Sequence, residues 1–212
     1  MSRPYGLITI GQTPREDITA DLDVLLPSPA PAVQHGLLDD RSLGEIEALA
    51  PGDLEFPLVT RLRDGSSVVV AKERLVPLLE RAVRRLENDC DVILVLCAGP
   101  FSDIPSKVPL LFPSRLLEHF VRGIAPCSAT VLVPHEGQVP AAREHWGSFI
   151  ESVSTAVATP YPWSCPDLSS DLVIMDCLGY TLAMKEDVRK RTGARAVLVR
   201  SVAASALREL LR

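Results

Sequence analysis

The chain contains no apolar run approaching the roughly 20 residues that cross a bilayer. It has no excess of positive charge: 22 Lys and Arg stand against 27 Asp and Glu, a net charge of −5 over 212 residues. Nothing in that balance points to nucleic acid or to a membrane surface. The five cysteines (Cys90, Cys97, Cys127, Cys165 and Cys177) include no Cys-x-x-Cys pair, and their number is odd. A disulfide scaffold or a structural zinc site is therefore not expected, and a reducing cytoplasm fits. The four histidines are scattered, and His135-Glu136 and Glu144-His145 lack His-Glu-x-x-His spacing, so no metal site is expected. Nor does a basic stretch followed by a long apolar one open the chain, because Arg3 leads at once into Pro4 and a short apolar run, so secretion is not expected.

What is present is a pair of similar segments. Asp91-Val92-Ile93-Leu94-Val95-Leu96 runs into Cys97-Ala98-Gly99, and Asp171-Leu172-Val173-Ile174-Met175-Asp176 runs into Cys177-Leu178-Gly179. Each reads as a buried strand that ends on a cysteine with a glycine two positions later. The separation is about one half of a two-lobed domain. If the halves face each other, two thiols meet across a cleft and can move a proton with no metal or cofactor.

Around these segments the pattern alternates. Tyr5 to Ile10 is a short apolar run ending at Gly11. Arg15 to Leu26 has helical spacing, with Pro14 suited to its first turn and Pro27, Pro29 and Pro31 ending it. Ala32 to Leu37 reads as a strand, and Ser42 with Glu45 as a capping box opening a helix to about Ala50. Leu58 to Leu62 and Ser66 to Val70 flank Arg63-Asp64-Gly65, a hairpin signal. Lys72 to Asn88 carries the clearest helical stripe, with Pro77 marking a true start or a kink. Val108 to Phe112 and Ala129 to Val133 read as strands, as do Val153 to Ala158 and Ala196 to Val199. Ser114 to Val121, Val139 to Glu151, Thr181 to Arg191 and Val202 to Leu211 read as helices, and Thr159 to Ser170, with three prolines, as a loop. Alternation of this kind predicts a mainly parallel α/β sheet, with ligands outside the carboxyl ends of the strands. Both strand-end cysteines occupy that end.

The reactive form of a cysteine is the thiolate, and a helix N-terminus favours it. Gly179 followed by a helix gives Cys177 such a setting, and Gly99-Pro100-Phe101-Ser102 gives Cys97 a similar one. The same loop amides suit a substrate carboxylate. One thiolate would take a proton from the carbon beside that carboxylate, and the opposed thiol would return one on the other face. Against this stands the ordinary use of cysteine as a small buried hydrophobe, which is the reading for Cys90, Cys127 and Cys165.

Thr9-Ile10-Gly11-Gln12-Thr13-Pro14-Arg15-Glu16-Asp17 resembles the N-terminal signature of AroM-type proteins. Asp91-Val92-Ile93-Leu94, Pro113-Ser114-Arg115-Leu116, Val131-Leu132-Val133-Pro134 and Asp176-Cys177-Leu178-Gly179-Tyr180 look like later blocks of that family. The resemblance covers essentially the whole chain. It implies a distant kinship with the aspartate/glutamate/hydantoin racemase superfamily: two pseudo-symmetric α/β lobes, each a mainly parallel sheet flanked by helices, with a cysteine in each and a cleft between. The lobes would be residues 1–122, with the helix 201–211 packed on them, and 123–212. By the same resemblance Cys97 and Cys177 match the first- and second-lobe cysteines, and Gln12 and Thr13 fall where the superfamily binds substrate. The chain departs from that superfamily in having Ala98-Gly99 and Leu178-Gly179 after its cysteines, where Asn-Thr types are usual. The implied chemistry is cofactor-independent racemisation, isomerisation or decarboxylation of a small carboxylate, and the implied assembly a homodimer.

Other residues carry two readings each. Arg15 and Arg115 are carboxylate clamps or solvated first-turn residues. Tyr180 donates its hydroxyl to a ligand or is a half-buried tyrosine beside the sheet. Glu136 lines the cleft or sits in a surface loop, and Asp176 reads as a hydrogen-bonded structural carboxylate pointing away from Cys177. Three functions follow: an enzyme, a binding or regulatory protein that keeps the cleft without turnover, and a redox-sensing thiol protein.

Overall fold

The computed structural model describes residues 3–26 and 31–211. In chain order its elements are β1 (Tyr5–Thr9), α1 (Glu16–Leu25), β2 (Ala32–Gly36), α2 (Leu43–Glu47), β3 (Pro57–Arg61), β4 (Ser67–Ala71), α3 (Lys72–Leu86), β5 (Val92–Leu96) and β6 (Leu110–Leu111). Then follow α4 (Pro113–Ile124), β7 (Ser128–Val133), a 3-10 turn at Glu136–Gln138, α5 (Val139–Gly147), β8 (Ser152–Val157), β9 (Leu172–Met175), α6 (Leu182–Thr192), β10 (Arg195–Leu198) and α7 (Val199–Leu210).

Two four-stranded sheets result, in the orders β2-β1-β5-β6 and β10-β9-β7-β8. Every pairing in both is parallel. Read from the other edge, the second order is β8-β7-β9-β10, which repeats the permutation of the first. The molecule is thus α/β with two similar parallel sheets flanked by helices. The strands β1, β5 and β9 are buried at every position, as strands covered on both faces must be. In each sheet the chain first steps to one side of the leading strand and then returns to the other side. The crevice at this reversal lies at the carboxyl ends of β1 and β5 in one sheet and of β7 and β9 in the other, where ligands gather in folds of this kind. Cys97 and Cys177 follow β5 and β9 directly.

The first sheet is covered on one face by α3 and the β3–β4 hairpin, through Ile8, Leu75, Leu79, Val83, Ile93 and Val95. Its other face meets α1 and, from the far end of the chain, α7 through Ala203, Ala204 and Leu207. Helix α4 instead packs Leu117 and Val121 on the second sheet beside Val131, Ile174 and Val199. The last helix before β7 and the last helix of the chain thereby cross over, each against the other half's sheet.

Several local expectations change. Pro14 lies outside α1 rather than in its first turn, because Arg15 is the N-cap; the Thr13–Pro14 peptide is cis. Pro27 and Pro29 fall outside the described residues. Pro77 neither starts nor breaks α3, which runs through it with Leu75, Leu79, Ala82, Val83 and Leu86 buried. Of Val108 to Phe112 only two residues pair with β5, as an edge. Helix α5 stops at Gly147, and its last turn tightens, the amides of Phe149 and Ile150 both returning to the Trp146 carbonyl. Helix α7 starts three residues earlier than its apolar spacing suggests, because Val199 and Arg200 are themselves buried. No helix among the described residues is long and apolar enough to cross a membrane.

Candidate active site

The carboxyl ends of β5 and β9 open on one cavity of about 380 Å³. From the first half it is lined by Cys97 to Ser102, by Phe56 just before the hairpin, and by Leu58 and Val59 of β3. From the second half come Val133 and Pro134 after β7, Gln138, Ala142, His145 and Trp146 around α5, and Asp176 and Cys177 after β9. Ser114, Arg115 and Glu118 on α4 complete it. Gln138 ties the two halves at its wall, donating from Nε2 to the Pro57 carbonyl at 2.7 Å.

The two cysteines have matching surroundings. The Gly99 amide donates to Cys97 Sγ and the Gly179 amide to Cys177 Sγ, both at 3.3 Å. Each glycine is required by close approach. A Cβ on Gly99 would stand 2.7 Å from Leu58 Cδ2, and one on Gly179 would stand 2.8 Å from Pro160 Cγ. Ser114 Oγ donates to the Gly99 carbonyl at 3.2 Å and fixes that loop from α4.

These thiols are not primed as the helix-dipole argument expects. Burial pushes Cys97 up to about 12, against the pull of the Gly99 amide. Burial pushes Cys177 up to about 11, against the Gly179 amide and the more distant Arg200 and Arg15 guanidinium groups. Desolvation of the anion outweighs one amide donor. The helix N-termini lend little as well. No helix follows Cys97 until Pro113, and α6 begins at Leu182, whose amide is taken by Asp21 Oδ2 at 2.8 Å while that of Met184 goes to Thr181 Oγ1.

The other residues singled out in the sequence divide into two groups. Ala98, Gly99 and Arg115 line the cavity. Arg115 stands at its rim, half-exposed, with Nη1 on Asp103 Oδ1 at 2.6 Å, Nη2 on the Phe101 carbonyl at 3.0 Å and its guanidinium over the Phe112 ring. Gln12, Thr13, Arg15, Leu178, Gly179 and Tyr180 lie outside the lining. Gln12 is committed to the Leu38 carbonyl and the Arg63 amide, and Thr13 to both oxygens of Asp39. Arg15 is buried, its fork closed on the two oxygens of Asp17 at 2.8 Å each, with Nη1 on Thr9 Oγ1. It is an internal strut rather than an open clamp. Tyr180 donates to the Ala158 carbonyl at 2.6 Å and has no exposed surface. Glu136 is exposed in its 3-10 turn.

Asp176 is hydrogen-bonded, as its sequence reading has it, but it also lines the cavity. The strand alternation that sets Asp176 apart from Cys177 carries it to the Ile174 face of the sheet, toward Trp146, and that face borders the cavity. Oδ2 accepts from Trp146 Nε1 at 3.1 Å, while Oδ1 is shielded from solvent and has no partner. Burial raises its carboxyl to about 6, only partly countered by the indole. Trp146, Gln138 and the hairpin residues carry no sequence signal of a site role. They reach the cavity only through contacts between elements distant in the chain.

A second polar cluster lies behind the Cys177 loop. Arg200 is fully buried and donates from Nε and Nη2 to the Leu178 carbonyl, and from Nη1 to Asp21 Oδ2 at 2.6 Å and the Asp17 carbonyl at 2.8 Å. Tyr161, from the proline-rich loop, donates to Asp17 Oδ2 at 2.9 Å. Burial alone would raise the Asp17 carboxyl, but Arg15, the Tyr161 hydroxyl and Arg200 hold it below its usual value. The cluster joins α1, α7 and the loops after β8 and β9. Among the described residues, no group of three or more His, Cys, Asp or Glu is placed to hold a metal ion.

The family model described as AroM protein matches residues 5–211. The chain belongs to the AroM family. No curated protein matches its sequence. Its fold resembles several solved structures at low identity. Aspartate racemase from Picrophilus torridus superposes with a TM-score of 0.58 at 11% identity, covering 96% of this chain and 93% of the other. Maleate isomerase Iso from Pseudomonas putida S16 gives 0.57 at 13%, covering 98% and 92%. Unliganded arylmalonate decarboxylase gives 0.56 at 12%, covering 99% and 92%. This AroM-family chain therefore shares the fold of these three structures.

Proposed function

We propose that this AroM-family protein is a cofactor-independent enzyme of the racemase, isomerase or decarboxylase kind, acting beside the carboxylate of a small acid, with Cys177 as the main proton carrier and Cys97 as its partner. The observation that carries this reading is that a cysteine from the end of each parallel sheet lines the same cavity, each with a glycine amide on its sulfur. Arg115 at the rim, its charge shared with Asp103, is the cation in the lining that faces the acid. In this reading residues 1–122 with the C-terminal helix form one lobe and 123–212 the other, in a cytoplasmic protein that pairs as a homodimer. The raised thiols bear on the reaction. At neutral pH both are overwhelmingly protonated, so each is better suited to deliver a proton to a carbanion than to remove one from carbon. That favours decarboxylation or isomerisation over two-base racemisation.

The test is solvent-deuterium incorporation into a panel of α-substituted acids and malonic half-acids, followed by NMR, for wild type and Cys177→Ala. Incorporation by the wild type that is lost in the variant supports the reading. Incorporation that survives unchanged in Cys177→Ala removes Cys177 from its role. The elevated thiol values also favour a second reading, a carboxylate-binding protein without turnover. That case is met if small acids protect the cavity cysteines from alkylation while no deuterium enters any acid.

A further inference from the structure

The two strand-end cysteines share an amide on sulfur but differ in what stands behind it. The Gly179 amide that donates to Cys177 Sγ at 3.3 Å belongs to the same peptide unit as the Leu178 carbonyl. That carbonyl accepts from Arg200 Nε at 3.1 Å and from Arg200 Nη2 at 2.5 Å. In a trans peptide the C=O and the N–H point in opposite directions. One rigid unit thus carries the guanidinium on one side and the sulfur on the other. The corresponding unit of the first half, Ala98–Gly99, has its amide on Cys97 Sγ. Among the described residues, no charged side chain donates to the Ala98 carbonyl.

Arg200 is itself held in place. It has no exposed surface, and its Nη1 is fixed on Asp21 Oδ2 at 2.6 Å and on the Asp17 carbonyl at 2.8 Å, both from α1. Two donors on one carbonyl oxygen set the plane of the peptide. A cation on that oxygen also polarises the N–H at the other end, as linked hydrogen bonds do where the dielectric is low.

We propose that Arg200 is a positioning residue for Cys177: through the Leu178–Gly179 peptide it aims and strengthens the amide on the Cys177 sulfur, and so makes Cys177 rather than Cys97 the thiol that can carry negative charge. The proposal rests on the reading of Cys177 as the main proton carrier and gives that asymmetry a physical source. When Cys177 delivers its proton to a carbanion, the proton goes to carbon and the electron pair of the S–H bond stays on sulfur. The polarised amide then meets the thiolate so formed. The thiol values run in the same sense, about 11 for Cys177 against about 12 for Cys97.

Other charged and titratable groups surround this sulfur. Asp176 and Tyr180 flank it on its own segment, Cys97 faces it from the β5 end, Tyr161 from the proline-rich loop and Arg15 from the start of α1. Arg115, Glu118 and His145 line the same cavity from α4 and α5. Arg15 is a second cation, but its fork is closed on Asp17, Thr9 and Tyr161 and it makes no hydrogen bond to the Leu178–Gly179 peptide.

The experiment is alkylation by iodoacetamide, resolved by site with mass spectrometry between about pH 7 and pH 9, for wild type, Arg200→Lys and Arg200→Met, each checked for folding by circular dichroism. In Arg200→Met, Cys177 is expected to react about fivefold more slowly at each pH, a roughly tenfold loss of thiolate being partly offset by the greater nucleophilicity of a more basic sulfur. Cys97 is expected to keep its rate. Arg200→Lys, which keeps a cation but not the two-point hold, is expected to fall between. A residue that only braces the fold gives the opposite sign, because its loss opens the structure and both thiols react faster. Unchanged or faster alkylation of Cys177 in Arg200→Met, slowing shared equally by Cys97, or an Arg200→Lys rate no higher than that of Arg200→Met overturns the proposal. Should Arg200→Met not fold, Arg200→Lys decides against wild type: Cys177 alone must slow, by about twofold, and an equal or higher rate overturns the proposal. No substrate enters the measurement, so a failure here removes Arg200 from its role and leaves the deuterium test to judge the enzyme reading.

Discussion

At Gly99 and Gly179 the same position after a strand-end cysteine is closed to any side chain, but by different obstacles. The Gly99 Cβ would meet the tip of Leu58, a flexible side chain, while the Gly179 Cβ would meet the Pro160 ring and, at 3.1 Å, the Tyr161 hydroxyl. Gly99→Ala should cost about 1 kcal/mol and Gly179→Ala nearer 3 kcal/mol, the range for overpacking; urea midpoints of the two variants check the order. Asp176 gives a stability test with a definite sign. Its folded value is raised from 3.8 to about 6, so the native state holds this proton more tightly than the unfolded chain. Stability is then lost as pH rises from about 4 to about 6, by up to ~3 kcal/mol. Asp176→Asn should match wild type near pH 4 and exceed it above pH 6, a difference read by thermal melts across that range. Equal curves at every pH would mean that the carboxyl is not desolvated.

Elements whose geometry is decided by neighbours in sequence were legible. The runs of β1, β5 and β9 are apolar at nearly every position, as parallel central strands require, and Asp64-Gly65 turns β3 into β4 with Gly65 at φ +89°. Ser42 and Glu45 form the capping box that their spacing announces. Thr181 caps α6 in a form less easily read, with Met184 sulfur in place of a carboxylate accepting the Thr181 amide. Because Thr181 Oγ1 still takes the Met184 amide, Thr181→Ala should lower stability by about 1 kcal/mol, measurable by chemical denaturation. Elements decided by tertiary contact were misread at their ends. Arg200 looks like a surface residue and so hides the start of α7, and Pro14 looks like a first-turn proline although Arg15 is drawn inward by Asp17 and Thr9.

Across the whole molecule, the cysteines could be found because each ends a buried strand, but the cavity walls could not. Phe56 and Leu58 meet Gln138 and Trp146 there from two stretches of chain far apart in sequence, neither carrying a local pattern that separates lining from core. The same holds for the struts. Arg200 reaches from α7 to α1 and to the loop after Cys177 with no exposed surface. Arg200→Met would leave Asp21 and the Leu178 carbonyl short of their partner and should cost about 3–5 kcal/mol, the range for breaking a buried ion pair. Because the crossed packing of α4 and α7 joins the two sheets, that loss should appear as one cooperative transition at lower temperature in calorimetry. Two separate transitions would show that the sheets melt independently.

The hairpin of β3 and β4 belongs to neither parallel sheet, yet it carries Leu58 and Val59, with Phe56 just before it, against the cysteines. A ribbon of two strands has little cohesion of its own. The chamber is therefore roofed by a two-stranded ribbon outside both parallel sheets, while the floor is made of sheet ends locked on both faces. Ventilation of the thiols, whether for a substrate to enter or a product to leave, is cheapest through that roof, and it leaves the reacting groups standing still.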